Sequence, residues 1–319
     1  MRRVTWPILF VFCSLNYCGE QRKTLEDAQE SPAFFLVSGT DVRMRSGPGT
    51  SNRIVKTLSF GVPLKASPLK KESTAGWVGV ETADGVSGYI ANELVMGFTS
   101  VEENTLSVKK LIQARFERNS FSLREFKDFL DYLRKSLSKN TEEEDFFLWS
   151  YYSHLRSVSE YLTEGQVLEA LSVKDKSFFI KGESGHIFNH QFLFDFAKDY
   201  PRSPYAEEAF WNAVNSTSEE DCENYFHCGL KNKLNHELTY LQRYPKGQFS
   251  ERSLSALRDF LVSFPDLKKP EYPLSKVKDN PKELIASIDK VLMILEAVEN
   301  AEEQIALLVE IKESLLSDQ

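Results

Sequence analysis

No run of lysine and arginine occurs in this chain. Its 39 basic residues are outnumbered by 47 acidic ones, for a formal charge of −8. Proteins that grip a phosphate backbone carry a basic stripe or patch, so nucleic acid is excluded as an expected partner. Long apolar runs are missing too: the N-terminal one, Val4 to Leu15, falls short of the roughly 20 residues a spanning helix needs. There is no G-x-S-x-G elbow, no phosphate-cradling glycine loop and no dinucleotide fingerprint. His186 and His190 stand four apart, a spacing that would share a helix face, yet lack the glutamate of a metalloprotease; a surface or packing role is expected. Cysteine is scarce, four residues in 319, and none shows the two-residue spacing of a zinc site. These absences argue for a non-enzymatic protein that needs no metal or cofactor.

What is present is most informative from Thr40 to Val95. Val42 and Met44 alternate with Arg43 and Arg45, giving one apolar and one cationic face. Ser46-Gly47-Pro48-Gly49 supplies a turn. Ile54, Val55, Leu58 and Leu64 flank Phe60-Gly61, Gly76-Trp77 opens a strand carrying Val78 and Val80, and Asp84-Gly85 is a hairpin signal. Gly88-Tyr89-Ile90 leads into Ala91-Asn92-Glu93-Leu94-Val95. Short strands separated by glycine and proline turns favour a compact barrel or sandwich. The ordered set resembles the bacterial SH3 family: the arginine-serine-glycine-proline opening and the glycine-tyrosine-valine close are both there, with Ile90 in place of valine. The resemblance implies an SH3-like β-barrel that binds wall peptide or a protein ligand. Arg43, Arg45, Trp77, Tyr89 and Asn92 are the candidate contact residues, cations beside aromatics being suited to sugars, carboxylates or a short peptide. In such a barrel Trp77 and Tyr89 are more often core or rim packing than contact residues.

Upstream, Arg2 and Arg3 precede the Val4–Leu15 run, as in a secretory signal. Leu15-Asn16-Tyr17-Cys18-Gly19 resembles a lipobox, in which Cys18 would be lipidated and become the first mature residue; Tyr17 stands where a small residue is usual. A plain cleaved signal is the alternative. Removing residues 1–17 takes away two arginines and no acid, so the mature chain is more acidic still. The expected location is exported and lipid-anchored in the cell envelope, facing the periplasm. Thr24 to Ala33, polar and acidic, reads as a tether.

After Val95 helical periodicity takes over. Ser122 and Glu125 have capping-box spacing ahead of Phe126, Phe129, Leu130 and Leu133; Thr141 and Glu144 repeat the device, and Asn280-Pro281 opens another helix. Two segments 44 positions apart resemble each other: Phe192 to Tyr200-Pro201 followed by Ser203 and Ala206, and Leu238 to Tyr244-Pro245 followed by Gly247 and Ser250. Each reads as helix, tyrosine-proline stop, new helix. The pattern resembles the tetratricopeptide-like hairpins of periplasmic lipoproteins that serve envelope assembly. Such arrays generally need about three units, so flanking helices must act as degenerate or capping copies. Between the two segments lie Cys222 and Cys228. A disulfide closing this short loop is the first expectation in an oxidising compartment; free thiols, or a metal held with His227 and His236, are the alternatives.

The expected organisation is a signal peptide at 1–17, a tether at 18–35, the barrel at 36–97 and an all-α, tetratricopeptide-like region at 98–319. The expected function is a non-enzymatic envelope lipoprotein that binds a cell-wall component or an envelope protein. An adaptor in export or outer-membrane assembly is the second reading, and a peptidoglycan hydrolase with an unrecognised active site the third.

Overall fold

The computed structural model describes residues 32–67, 76–99, 104–117, 122–139, 143–161, 165–166, 169, 171–182, 185–216, 222, 226–263 and 281–317. The signal core, Cys18, most of the tether, Thr141 and Asn280 lie outside the described residues.

Seven strands form the N-terminal unit: β1 (Phe34–Val37), β2 (Val42–Arg45), β3 (Ile54–Leu58), β4 (Pro63–Ala66), β5 (Trp77–Thr82), β6 (Ser87–Ala91) and β7 (Val95–Phe98), with a 3-10 turn at Asn92–Leu94. All pairings are antiparallel, in the order β3-β2-β6-β5-β4-β1-β7. Phe35, Val37, Val42, Met44, Leu58, Leu64, Val80 and Ile90 converge in one core, so the sheet wraps around its own interior. The alternation at β2 works as read: Val42 and Met44 are buried and Arg43 is exposed. One boundary differs from expectation. β1 begins at Phe34, inside the segment read as tether. Phe34-Phe35-Leu36-Val37 shows no alternation because both faces are covered: Phe35 and Val37 enter the barrel core, while Leu36 points into the core of the helical half.

That half begins with α1 (Asn104–Phe116), α2 (Leu123–Leu137) and α3 (Glu144–Tyr161). The Ser122–Glu125 capping box is formed, with Glu125 N–H donating to Ser122 Oγ at 3.3 Å and Ser122 N–H to Glu125 Oε2 at 2.9 Å. A short turn, α4 (Val173–Lys176), leads into a hairpin of β8 (Phe179–Gly182) and β9 (Gly185–Phe188). The region is therefore not wholly helical, and the shared helix face imagined for His186 and His190 does not exist. His186 lies on β9, paired with Lys181, and His190 stands just ahead of the next helix.

Three helical pairs follow: α5 (Gln191–Asp199) with α6 (Ala206–Val214), α8 (Glu237–Arg243) with α9 (Ser250–Val262), and α10 (Pro281–Leu295) with α11 (Glu302–Ser317). A lone helix, α7 (Phe226–Asn235), precedes α8. The two tyrosine-proline connections are superimposable in hydrogen bonding. In the first, Tyr200 N–H reaches Phe196 O, Ser203 N–H reaches Tyr200 O and Ala206 N–H reaches Ser203 O, at 2.9, 2.9 and 3.1 Å. In the second, Tyr244 to Tyr240, Gly247 to Tyr244 and Ser250 to Gly247 repeat these bonds at 2.8, 3.1 and 3.1 Å. The third connection, residues 296–301, has the same length and begins with Glu296 N–H donating to Leu292 O at 3.0 Å, followed by Val298 N–H to Leu295 O at 3.0 Å. It lacks tyrosine and proline.

Barrel and helices are joined by a seam on α2. One oxygen of Asp128, Oδ2, accepts from Thr40 Oγ1 and from the Phe60 N–H, both at 2.9 Å. Arg124 donates from Nη2 to Asp41 Oδ1 at 2.7 Å, with its Nε 2.6 Å from Oδ2. The Phe60 ring stands edge-on to Phe129 and Tyr132, each at 5.1 Å between centroids. Gly61 has φ +75°, and a Cβ there would lie 2.0 Å from the Tyr132 ring. Glycine is required twice over, for the backbone and for the contact.

Candidate functional site

The outward residues of β2, the start of β5 and the turn after β6 surround an open groove of about 410 Å³. Arg43, Arg45 and Trp77 line it together, with Asp41, Thr50 and Glu93 around them. Strand pairing explains the convergence. Arg45 is in register with Tyr89 on β6, and Trp77 with Ala91, so the side chains that alternate away from the buried Met44, Gly88 and Ile90 share one face.

The five expected contact residues are thus not equivalent. Arg43 is exposed and lines the groove. Arg45 is half-buried, and its Nη1 donates to Asn52 O at 2.6 Å. Asn52 in turn donates from Nδ2 to Pro48 O at 2.9 Å, so Arg45 pins the Ser46–Arg53 loop as well as facing the groove. Trp77 is half-buried and presents part of its ring. Tyr89 sits between Arg45 and Gly79 across the sheet, beside the lining. Asn92 opens the 3-10 turn, its N–H held by Gly76 O at 3.0 Å, and does not line the groove.

Sequence reasoning missed the acidic side of this groove. Asp41 immediately precedes the alternating strand and adopts φ +52°, a left-handed conformation that aspartate tolerates better than most residues. Its carboxylate is neutralised by Arg124 from α2. Glu93 follows Asn92 in the turn and is exposed. The groove therefore offers two arginines, an aromatic ring and the carboxylate of Glu93, with Asp41 held by Arg124, a set that fits a small polar ligand carrying both charges or a short peptide. At the β5–β6 hairpin tip, hydrogen bonds from Lys56 and Thr82 hold the Asp84 carboxyl down at about 2, which ties β3 to the hairpin.

The cysteine segment resolves differently from the metal alternative. Cys222 and Cys228 are at disulfide distance, with sulfurs 2.02 Å and Cα atoms 5.4 Å apart. His236 is buried with Nδ1 2.9 Å from Val214 O, and His227 Nε2 lies 3.3 Å from Ser287 Oγ on α10. No group of three His, Cys, Asp or Glu side chains is placed to hold a metal among the described residues.

A small antiparallel barrel with a mixed-charge groove on its outward face is the class of module these strands define. Residues 40–96 match the family model of the bacterial SH3 domain. No curated protein and no solved structure matches the chain. No helix among the described residues is long and apolar enough to cross a membrane.

Proposed function

We propose that the chain is a non-enzymatic, exported lipoprotein whose bacterial SH3 domain recognises a cell-wall component or an envelope protein, presented on a helical scaffold. Bacterial SH3 domains bind wall components or proteins, and the match over residues 40–96 gives this reading its class. The observation that carries it is the groove on which Arg43, Arg45 and Trp77 meet. Arg43 would meet a carboxylate, Trp77 a sugar face or an aliphatic peptide segment, and Glu93 an ammonium group. The membrane anchor in this proposal is a lipid on Cys18.

Co-sedimentation of the full-length protein with purified peptidoglycan tests the reading. Trp77→Ala and Arg43→Ala are expected to weaken pelleting about tenfold each, in line with loss of an interface anchor. Binding that ignores both substitutions would refute the groove, and release of soluble muropeptides by the purified protein would favour a hydrolase. Labelled palmitate that still incorporates after Cys18→Ala would rule out that anchor.

The adaptor reading has its own support in the seam. Asp128, Arg124 and Tyr132 fix the barrel to α2, as suits a part that spaces partners. The tetratricopeptide-like identity proposed for the helical pairs rests on the repeated connections at Tyr200 and Tyr244. Retention of the protein on envelope complexes after Trp77→Ala would favour this second reading.

A further inference from the structure

Where the barrel meets α1 and α2 the packing leaves a second cleft of about 500 Å³, separate from the Arg43–Trp77 groove and within the size range of small-ligand sites, which favour domain interfaces. Phe60, Val62 and Pro63 from the β3–β4 turn form one apolar wall, with Val108 of α1 and Tyr132 of α2 opposite. Tyr132 is half-buried and its phenol is pushed up to about 12 by burial, so the ring stays neutral against this wall.

The polar rim is unevenly partnered. Four charged side chains line it: Asp128, Asp131, Lys135 and Lys139. Asp128 is engaged by the Thr40 hydroxyl and the Phe60 N–H, and Asp131 accepts from Arg134 at 2.7 Å. Lys135, in the last turn of α2, and Lys139, in the turn just past its end, are exposed and have no ion-pair partner among the described residues. Asp131 thus shares Arg134 with Asp175, Asp128 has two neutral donors, and both lysines are open. Both lysines line the cleft.

We propose that this seam cleft binds a small amphiphilic anion, its apolar body against Phe60, Val62 and Tyr132 and its acidic headgroup between Lys135 and Lys139. The inference does not depend on the Arg43–Trp77 groove having a ligand.

Fluorescence titration of the full-length protein with 8-anilinonaphthalene-1-sulfonate, and in parallel with its uncharged relative N-phenyl-1-naphthylamine, tests it. Saturable one-site binding of the sulfonate is expected. The double variant Lys135→Gln, Lys139→Gln should weaken it about tenfold, the scale of two exposed charge contacts, and leave the uncharged probe unmoved. Ser59→Trp, which fills the mouth from an exposed position, should weaken both probes. Trp77→Ala should weaken neither, which locates the site away from the groove. No saturable binding, equal affinity for the two probes, or sulfonate binding that survives the double lysine substitution would each overturn the proposal.

Discussion

His154 lies wholly inside the aromatic cluster of the helical half, stacked on Phe126 at 4.3 Å and edge-on to Phe129 at 4.6 Å. Burial disfavours the imidazolium. Against a hydrogen bond to Phe126 O, and with Arg115 nearby, the ring's pKa falls to about 3 from an ordinary 6.5. The unfolded chain takes up this proton near pH 6.5 and the folded one does not, so stability is greatest above that pH and declines as pH drops toward 3. His190 is shifted the same way by burial and by Arg156, and adds to the slope. Asp84 and Asp175 are shifted downward from 3.8 and act only at lower pH. His154→Phe is expected to flatten most of the dependence of unfolding free energy on pH between about 6 and 4. Urea denaturation across that range checks it, and an unchanged slope would place the acid sensitivity elsewhere.

At the scale of elements, the helical pairs are interlocked by side chains as well as stacked. Glu207 of α6 accepts at one oxygen, Oε1, from Tyr240 OH at 2.5 Å and from the Gln248 N–H at 2.6 Å. Tyr240 OH in turn accepts from Phe249 N–H at 3.0 Å. The first pair thereby caps the connection of the second. Gly247 sits beneath this knot, where a Cβ would approach Tyr240 Oη to 2.2 Å, which explains glycine there when the first connection carries Ser203. Glu207→Ala should cost about 1–3 kcal/mol, since it strips the acceptor from two donors; thermal unfolding measures it. The Cys222–Cys228 bridge closes a loop of short span, and Cys222→Ser should lower stability by about 2 kcal/mol, with the same loss on adding reductant to the native protein.

The same elements mark what could be read in advance. Tyr-Pro pairs and the Ser122 box are local chemistry, visible because a residue type dictates the backbone beside it. The α10–α11 connection has the same length but closes through Leu295 and Val298, whose backbone bond leaves no residue signature. The β8–β9 hairpin was passed over because a histidine spacing that suits a helix also occurs across a strand and a turn. Asp128, the hub of the seam, looks in the sequence like any acid on the polar side of an amphipathic helix. Its role comes from Thr40 and Phe60, more than sixty residues away, and pairings at that range have no local pattern.

Considered whole, the molecule does not divide into a barrel with an appendage. Leu36 and Phe60 are buried at 6% and 4% exposure within the cluster built by α2 and α3. A fragment ending at residue 99 would return them to water and forfeit about 1.5–3 kcal/mol each, a large share for a domain of that size. Such a fragment is expected to unfold at lower urea than a fragment of residues 32–139, which retains α1 and α2. Equal midpoints would show that the seam contributes little. Deleting the helical half is for this reason a poor way to ask what the barrel binds, and substitutions in the intact chain are the better instrument.

The position of β1 also sets a timetable. It is the first strand in chain order, yet it pairs with β4 and with β7, and its Leu36 is not covered until α2 exists. A chain emerging N-terminus first therefore holds this apolar strand unpaired until β4 is made, with one edge open until β7 and Leu36 uncovered until α2. Contacts so distant along the chain make folding slow. Through that interval Phe34 to Val37 is a stretch that needs to be kept from other chains.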